Sequence, residues 1–131
     1  MTDHLLIIED NPQNLYMMRF LLEKNGFSVI GAADGQQGIA EALRQRPQAI
    51  LLDIQLPGMD GYAVAEALKR HPSLVNIPII AVTSYAMVGD RERILAAGAT
   101  GYIEKPIDPD TFVSEIVNHL RDSQGGGERL D

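Results

Sequence analysis

Four short apolar runs constrain this chain more than any other feature: Leu5-Leu6-Ile7-Ile8, Ala49-Ile50-Leu51-Leu52, Ile79-Ile80-Ala81-Val82 and Gly101-Tyr102-Ile103. Near-continuous apolar runs without polar alternation suit strands buried on both faces, as in parallel sheets covered by helices. Open sheets of that kind place their ligands just beyond the carboxyl ends of the strands. The residues at those ends are Glu9-Asp10, Asp53, Thr83-Ser84 and Lys105-Pro106. A further short apolar segment, Phe27 to Ala32, makes five strand-like runs, and helix-like segments alternate with them. That alternation predicts βαβ units and a mainly parallel sheet.

The helical segments carry their own boundary signals. Asn11 can cap a helix with Pro12 at its first position, and Leu15, Met18 and Leu22 repeat at helical spacing until Asn25-Gly26. Asp34 with Gln37 three residues on suggests a second start, with Ile39, Ala42 and Leu43 inward and Pro47 as the stop. Leu56-Pro57-Gly58-Met59-Asp60-Gly61 is turn chemistry leading to a helix with Val64, Ala65 and Leu68 inward, and Pro72 and Pro78 bracket the next loop. Periodicity is weak from Ser84 to Gly89, while Asp90 to Ala97 can form a short helix closed by Gly98. Asp108 and Pro109 read as cap and first position of the last helix, whose stripe is Val113, Ile116, Val117 and Leu120. Beyond Arg121 the run Asp-Ser-Gln-Gly-Gly-Gly-Glu has no apolar residue. Residues 1–121 are therefore expected to form one domain, and 122–131 a disordered C-terminal tail or linker stub.

Length and charge narrow the function. The 131 residues suit a single domain with a real core. Cysteine is absent, which excludes disulfides and thiolate metal sites. No apolar run approaches the ~18 residues of a membrane span, and no basic region precedes one at the N-terminus, so a soluble, cytoplasmic protein is expected. A net charge of −7 and a pI near 4.8 argue against direct nucleic-acid binding, which leans on basic contacts to phosphate. Protein partners fit better.

The strand-end residues suit phosphoryl chemistry. A carboxylate can accept a phosphoryl group as nucleophile, and two anions approaching each other need a cation. Hard oxygen ligands suit Mg²⁺, which takes few carboxylates and keeps waters and a phosphate oxygen. Glu9, Asp10 and Asp53 can supply the oxygens, Lys105 a mobile positive charge, and Thr83 a hydroxyl donor. No nucleophilic triad is available, since His4, His71 and His119 fall away from the strand ends, and no glycine-rich nucleotide motif occurs.

Ile8-Glu9-Asp10-Asn11, Leu52-Asp53-Ile54-Gln55-Leu56-Pro57-Gly58-Met59-Asp60-Gly61, Ala81-Val82-Thr83-Ser84 and Lys105-Pro106 occur in this order and spacing. Together they resemble the receiver domain of bacterial two-component response regulators, from about Leu5 to Leu120. The resemblance implies a flavodoxin-like three-layer sandwich, with five parallel strands in the order 2-1-3-4-5 and five helices. It further implies that Asp53 is the phosphoacceptor, Asp10 a direct Mg²⁺ ligand, Glu9 a water-mediated one, and Gln55 a ligand through its backbone carbonyl. Thr83 corresponds to the switch hydroxyl, Lys105 to the phosphate-contacting lysine, Tyr102 to the aromatic that reports the state on the outer face, and Pro106 to a residue after a cis peptide. Gln55 and Tyr85 match the positions that set phosphoryl lifetime. Glu9 departs from the family pattern, where many members carry aspartate.

The partners implied are a histidine kinase or histidine phosphotransfer protein and a downstream protein docking on the fourth helix, fifth strand and fifth helix. No membrane or nucleic-acid contact is implied, and the chain would be a monomer or a weak phosphorylation-dependent dimer. Such a protein is a signalling switch that phosphorylates and dephosphorylates itself, not a conventional enzyme. Taken singly, each residue has a blander role: Asp10 as a helix cap, Thr83 as a strand former, Lys105 as a solvated lysine, and Arg91-Glu92-Arg93 as a solvated helix face. A Mg²⁺-dependent phosphatase with Asp53 as nucleophile is the alternative, but Gln55 stands where its general acid would be. An acidic rim also disfavours a flavin-nucleotide binder. A receiver that signals without phosphorylation remains a further alternative, disfavoured by the full set of acids, hydroxyl and lysine.

Overall fold

The computed structural model describes residues 4–56, 60–84 and 88–128. Strands and helices alternate as β1 (His4–Ile8), α1 (Pro12–Lys24), β2 (Ser28–Ala32), α2 (Gly35–Gln45), β3 (Ala49–Asp53), α3 (Gly61–Arg70), β4 (Ile79–Thr83), α4 (Val88–Ala96), β5 (Gly101–Glu104) and α5 (Phe112–Glu128). The strands form one sheet in the order β2-β1-β3-β4-β5, every neighbouring pair parallel. This is the flavodoxin-like arrangement implied by the motifs.

Side chains alternate across a strand with period two, so each strand feeds two cores. Leu6, Ile8, Ile50, Leu52 and Ala81 face one side, where Ala42 of α2, Val64, Ala65 and Leu68 of α3, and Ile94 of α4 cover them. Leu5, Ile7, Leu51, Ile80 and Val82 face the other, against Met18 and Leu22 of α1 and Phe112, Ile116 and Leu120 of α5. Both faces are thus dry, which is why the runs lack polar alternation.

Register then aligns the strand ends. Ile8 pairs with both Ala32 and Leu52, Asp53 with Val82, and Thr83 with Glu104. Glu9, Asp53, Thr83 and Lys105 consequently reach one edge of the sheet.

Helix caps follow local chemistry. Asn11 Oδ1 accepts from the N–H groups of Gln13 and Asn14, and Pro12 opens α1. Asp34 Oδ1 accepts from Gln37 N while Gln37 Oε1 accepts from Ala33 N, so two groups tie the start of α2 reciprocally. At the start of α5, Asp108 Oδ1 accepts from Asp110 N and the Asp108 carbonyl accepts from Thr111 N and Phe112 N, the bonds of the expected cap, while the regular helix begins at Phe112. At its other end α5 continues to Glu128.

Candidate functional site at the strand ends

Glu9 leaves β1 with its backbone N–H bonded to the Ala32 carbonyl at 2.9 Å, which aims the following turn over the sheet edge. Its side chain is only 1 % exposed. Oε2 accepts from Asn11 N at 3.1 Å, whereas buried Oε1 makes no hydrogen bond among the described residues. Lys105 Nζ lies 3.3 Å from that Oε1 and 3.3 Å from Asp53 Oδ1. Asp53, at 2 % exposure, also accepts from Gln55 N at 2.9 Å through Oδ1. Asp10 sits exposed at the rim, and one oxygen from each of Glu9, Asp10 and Asp53 falls within 4.8 Å of the others.

The loops that hold these groups are tightly placed. Gly61 N donates to the Ile54 carbonyl at 3.0 Å, and a Cβ at Gly61 would strike Ile54 Cα and come within 2.7 Å of the Asp53 carbonyl oxygen. Glycine is therefore required for α3 to start so close to the end of β3. Thr83 is fully buried at the end of β4, and its carbonyl accepts from Lys105 N at 2.9 Å. The Lys105-Pro106 peptide is cis, and the Lys105 side chain is 16 % exposed. Gln55 Oε1 accepts from Ser84 N at 3.3 Å, joining the loop after β3 to the loop after β4.

Electrostatics set the resting state. Burial, followed by the Asp53 charge, pushes the Glu9 carboxyl up from 4.5 to about 7, against the smaller lowering from the Asn11 N–H and Lys105. One ammonium cannot satisfy three clustered acids. A buried carboxylate oxygen that has an ion pair but no hydrogen bond, beside two further carboxylates, is a donor set suited to a hard divalent cation, and the residues fit Mg²⁺.

Tyr102 stands half-buried on β5, with the Arg91 guanidinium of α4 5.4 Å from its ring centroid. Arg93 lies 3.8 Å from the ring centroid of Tyr62 on α3. Both arginines are exposed, as expected of a solvated helix face, and each also lies over a ring. These stacks, like the Gln55–Ser84 bond, join residues from different elements and leave no local sequence signal. His4 starts β1, His71 follows α3 and His119 lies on α5, so none joins the acids. Tyr85 and Pro57-Gly58-Met59 lie outside the described residues.

Residues 5–117 match the family model described as the response regulator receiver domain. The chain belongs to the response-regulator receiver family. It is 41 % identical over 123 residues to the polar-differentiation response regulator DivK of Brucella ovis, covering 94 % of this chain and all of that one. The chemotaxis response regulator CheY4 of Vibrio cholerae superposes with a TM-score of 0.87 at 26 % identity, over 91 % of this chain and 99 % of that one. A receiver domain of a sensor histidine kinase from Pseudomonas aeruginosa PAO1, solved with a magnesium ion coordinated in its active-site cleft, superposes at 0.83 with 36 % identity, over 95 % and 99 % of the two chains. Among the described residues of the present receiver, no helix is long and apolar enough to cross a membrane.

Proposed function

We propose that this receiver is the phosphoacceptor of a two-component phosphorelay, with Asp53 taking the phosphoryl group from a phosphohistidine on a histidine kinase or phosphotransfer protein. The observation that carries the reading is the buried Asp53 carboxylate with Lys105 Nζ 3.3 Å from its Oδ1 and two further acids within 4.8 Å. Asp53 Oδ1 is held by Gln55 N and Lys105, which orients the carboxylate for in-line attack. Glu9, Asp10, Asp53 and the Gln55 backbone carbonyl would hold Mg²⁺, which supplies charge neutralisation between the carboxylates and the incoming phosphoryl oxygens. Lys105 then neutralises a phosphoryl oxygen, and Thr83 donates its hydroxyl to another.

Movement of Thr83 toward the phosphoryl group frees space for Tyr102 to turn inward, biasing the surface of α4, β5 and α5 toward a downstream protein. Gln55 and Tyr85 would govern how readily water reaches the phosphorus. The alternative of a phosphatase acting on small esters lacks its acid: Gln55 cannot protonate a leaving group, and its side-chain oxygen accepts from Ser84 N. Incubating the protein with acetyl phosphate and Mg²⁺ and weighing it intact tests the assignment. One added phosphoryl group is expected on the wild type and none on Asp53→Asn. Equal labelling of that variant, or labelling independent of any divalent metal, would remove Asp53 from its role.

A further inference from the structure

Helix α4 is weakly anchored by apolar contact. Among its described side chains Ile94 is the buried one, while Arg91, Glu92, Arg93 and Leu95 are exposed. Two guanidinium–aromatic stacks flank it instead, Arg91 on Tyr102 of β5 and Arg93 on Tyr62 of α3. These contacts are chemically alike but mechanically different. Tyr62 belongs to α3, whose Val64, Ala65 and Leu68 are locked in the core. Tyr102 is half-buried on β5, the edge strand.

We propose that Arg91 is a brake on the switch: its guanidinium stabilises the Tyr102 ring in the half-buried position it holds in this structure, so that the inward, phosphorylated state forms only when this stack is given up. The inference rests on the reading of Tyr102 as the moving aromatic. It adds a residue on α4 that sets how far the unphosphorylated protein leans toward the active state. Arg93 carries the same charge on the same helix but stacks on a ring that stays in place, so its contact persists in both states and biases neither.

A guanidinium over a tyrosine ring at an exposed site is worth a factor of about 2 to 5 in an equilibrium constant. Removing Arg91 should therefore shift the resting equilibrium toward the inward state by that factor. Because a phosphoryl analogue binds the inward state preferentially, its apparent affinity should rise in the same proportion.

The test uses beryllofluoride with Mg²⁺ as the probe and the full chain with ring-labelled tyrosine for NMR, in wild type, Arg91→Ala, Arg91→Lys and Arg93→Ala. In wild type, beryllofluoride is expected to move the Tyr102 ring signals. Arg91→Ala should place those signals, without ligand, part-way toward the bound position and bind beryllofluoride about two- to fivefold tighter. Arg91→Lys, which keeps a cation over the ring, should restore most of the wild-type behaviour, and Arg93→Ala should match wild-type affinity. If beryllofluoride binds wild type without moving the Tyr102 signals, the reading of Tyr102 as the moving aromatic fails. If the signals move but Arg91→Ala keeps wild-type resting shifts and affinity, or Arg93→Ala tightens binding equally, the brake is overturned while that reading stands.

Discussion

Glu9→Gln offers a test of the site's electrostatics that needs no phosphoryl donor. In the folded, metal-free protein the Glu9 carboxyl is raised from 4.5 to about 7 by burial and by the Asp53 charge. Well below pH 4.5 the carboxyl is protonated whether the chain is folded or unfolded, and Glu9 contributes no pH dependence to stability. As pH rises from 4.5 toward 7, the unfolded chain ionises Glu9 while the folded chain does not, so the folded state holds more protons and stability falls by about 1.4 kcal/mol for each pH unit. The loss levels off above the folded value, at a total of about 3 kcal/mol. Glutamine has no proton to lose and keeps an oxygen for the Asn11 N–H. Urea unfolding at pH 5, 6, 7 and 8, at constant ionic strength with a chelator present, should therefore show the variant gaining on wild type as pH rises, approaching about 3 kcal/mol at pH 8. Millimolar Mg²⁺ should recover more stability in wild type than in the variant, because the cation binds the ionised acids of the folded state. A variant-minus-wild-type difference that is flat across this range, or that shrinks with rising pH, would refute the reasoning.

Thr83→Ala should still accept a phosphoryl group at Asp53 but transmit it poorly, with amide exchange around Tyr102 changing less than in wild type; a full response would close the route through Thr83. Gly61→Ala forces α3 away from Ile54 and the Asp53 carbonyl, so it should cost about 1–3 kcal/mol in urea unfolding and slow labelling by acetyl phosphate. Unchanged stability and rate would show that the loop yields freely. Lys69 Nζ donates to the carbonyls of Val75 and Ile77, both at 3.0 Å, and Lys69→Met leaves those oxygens without their charged donor. A loss of about 1–3 kcal/mol is expected, with Asp53 labelling intact, and a neutral result would mean that water replaces the ammonium without penalty.

The strands were legible because burial on both faces leaves nothing but apolar side chains between Leu5 and Ile8 or between Ile50 and Leu52. Caps made by neighbours in sequence, such as Asn11 for α1 and Asp34 with Gln37 for α2, were legible too. Asp108 makes the bonds of a cap, but the residue at which regular α5 begins, Phe112, lies three positions beyond the expected first residue, Pro109. At the site, the residue types follow from the strand ends, but the neutral tendency of Glu9 depends on how deeply the fold buries it beside Asp53. The Gln55–Ser84 bond and the two arginine stacks depend on tertiary placement of loops and helices, for which the local pattern carries no trace.

The strand order also has a consequence during synthesis. Glu9, Asp10 and Asp53 are translated well before Lys105, and β5, which precedes Lys105, is both the last strand made and an edge of the sheet. A chain in which β1 to β4 have paired before β5 joins has β4 as its open edge. At that stage the three acids converge without their ammonium, and their mutual repulsion opposes closing the edge. Arrival of β5 brings the missing cation and covers β4 in the same step, so completing the sheet and balancing the charge of the site become a single late event.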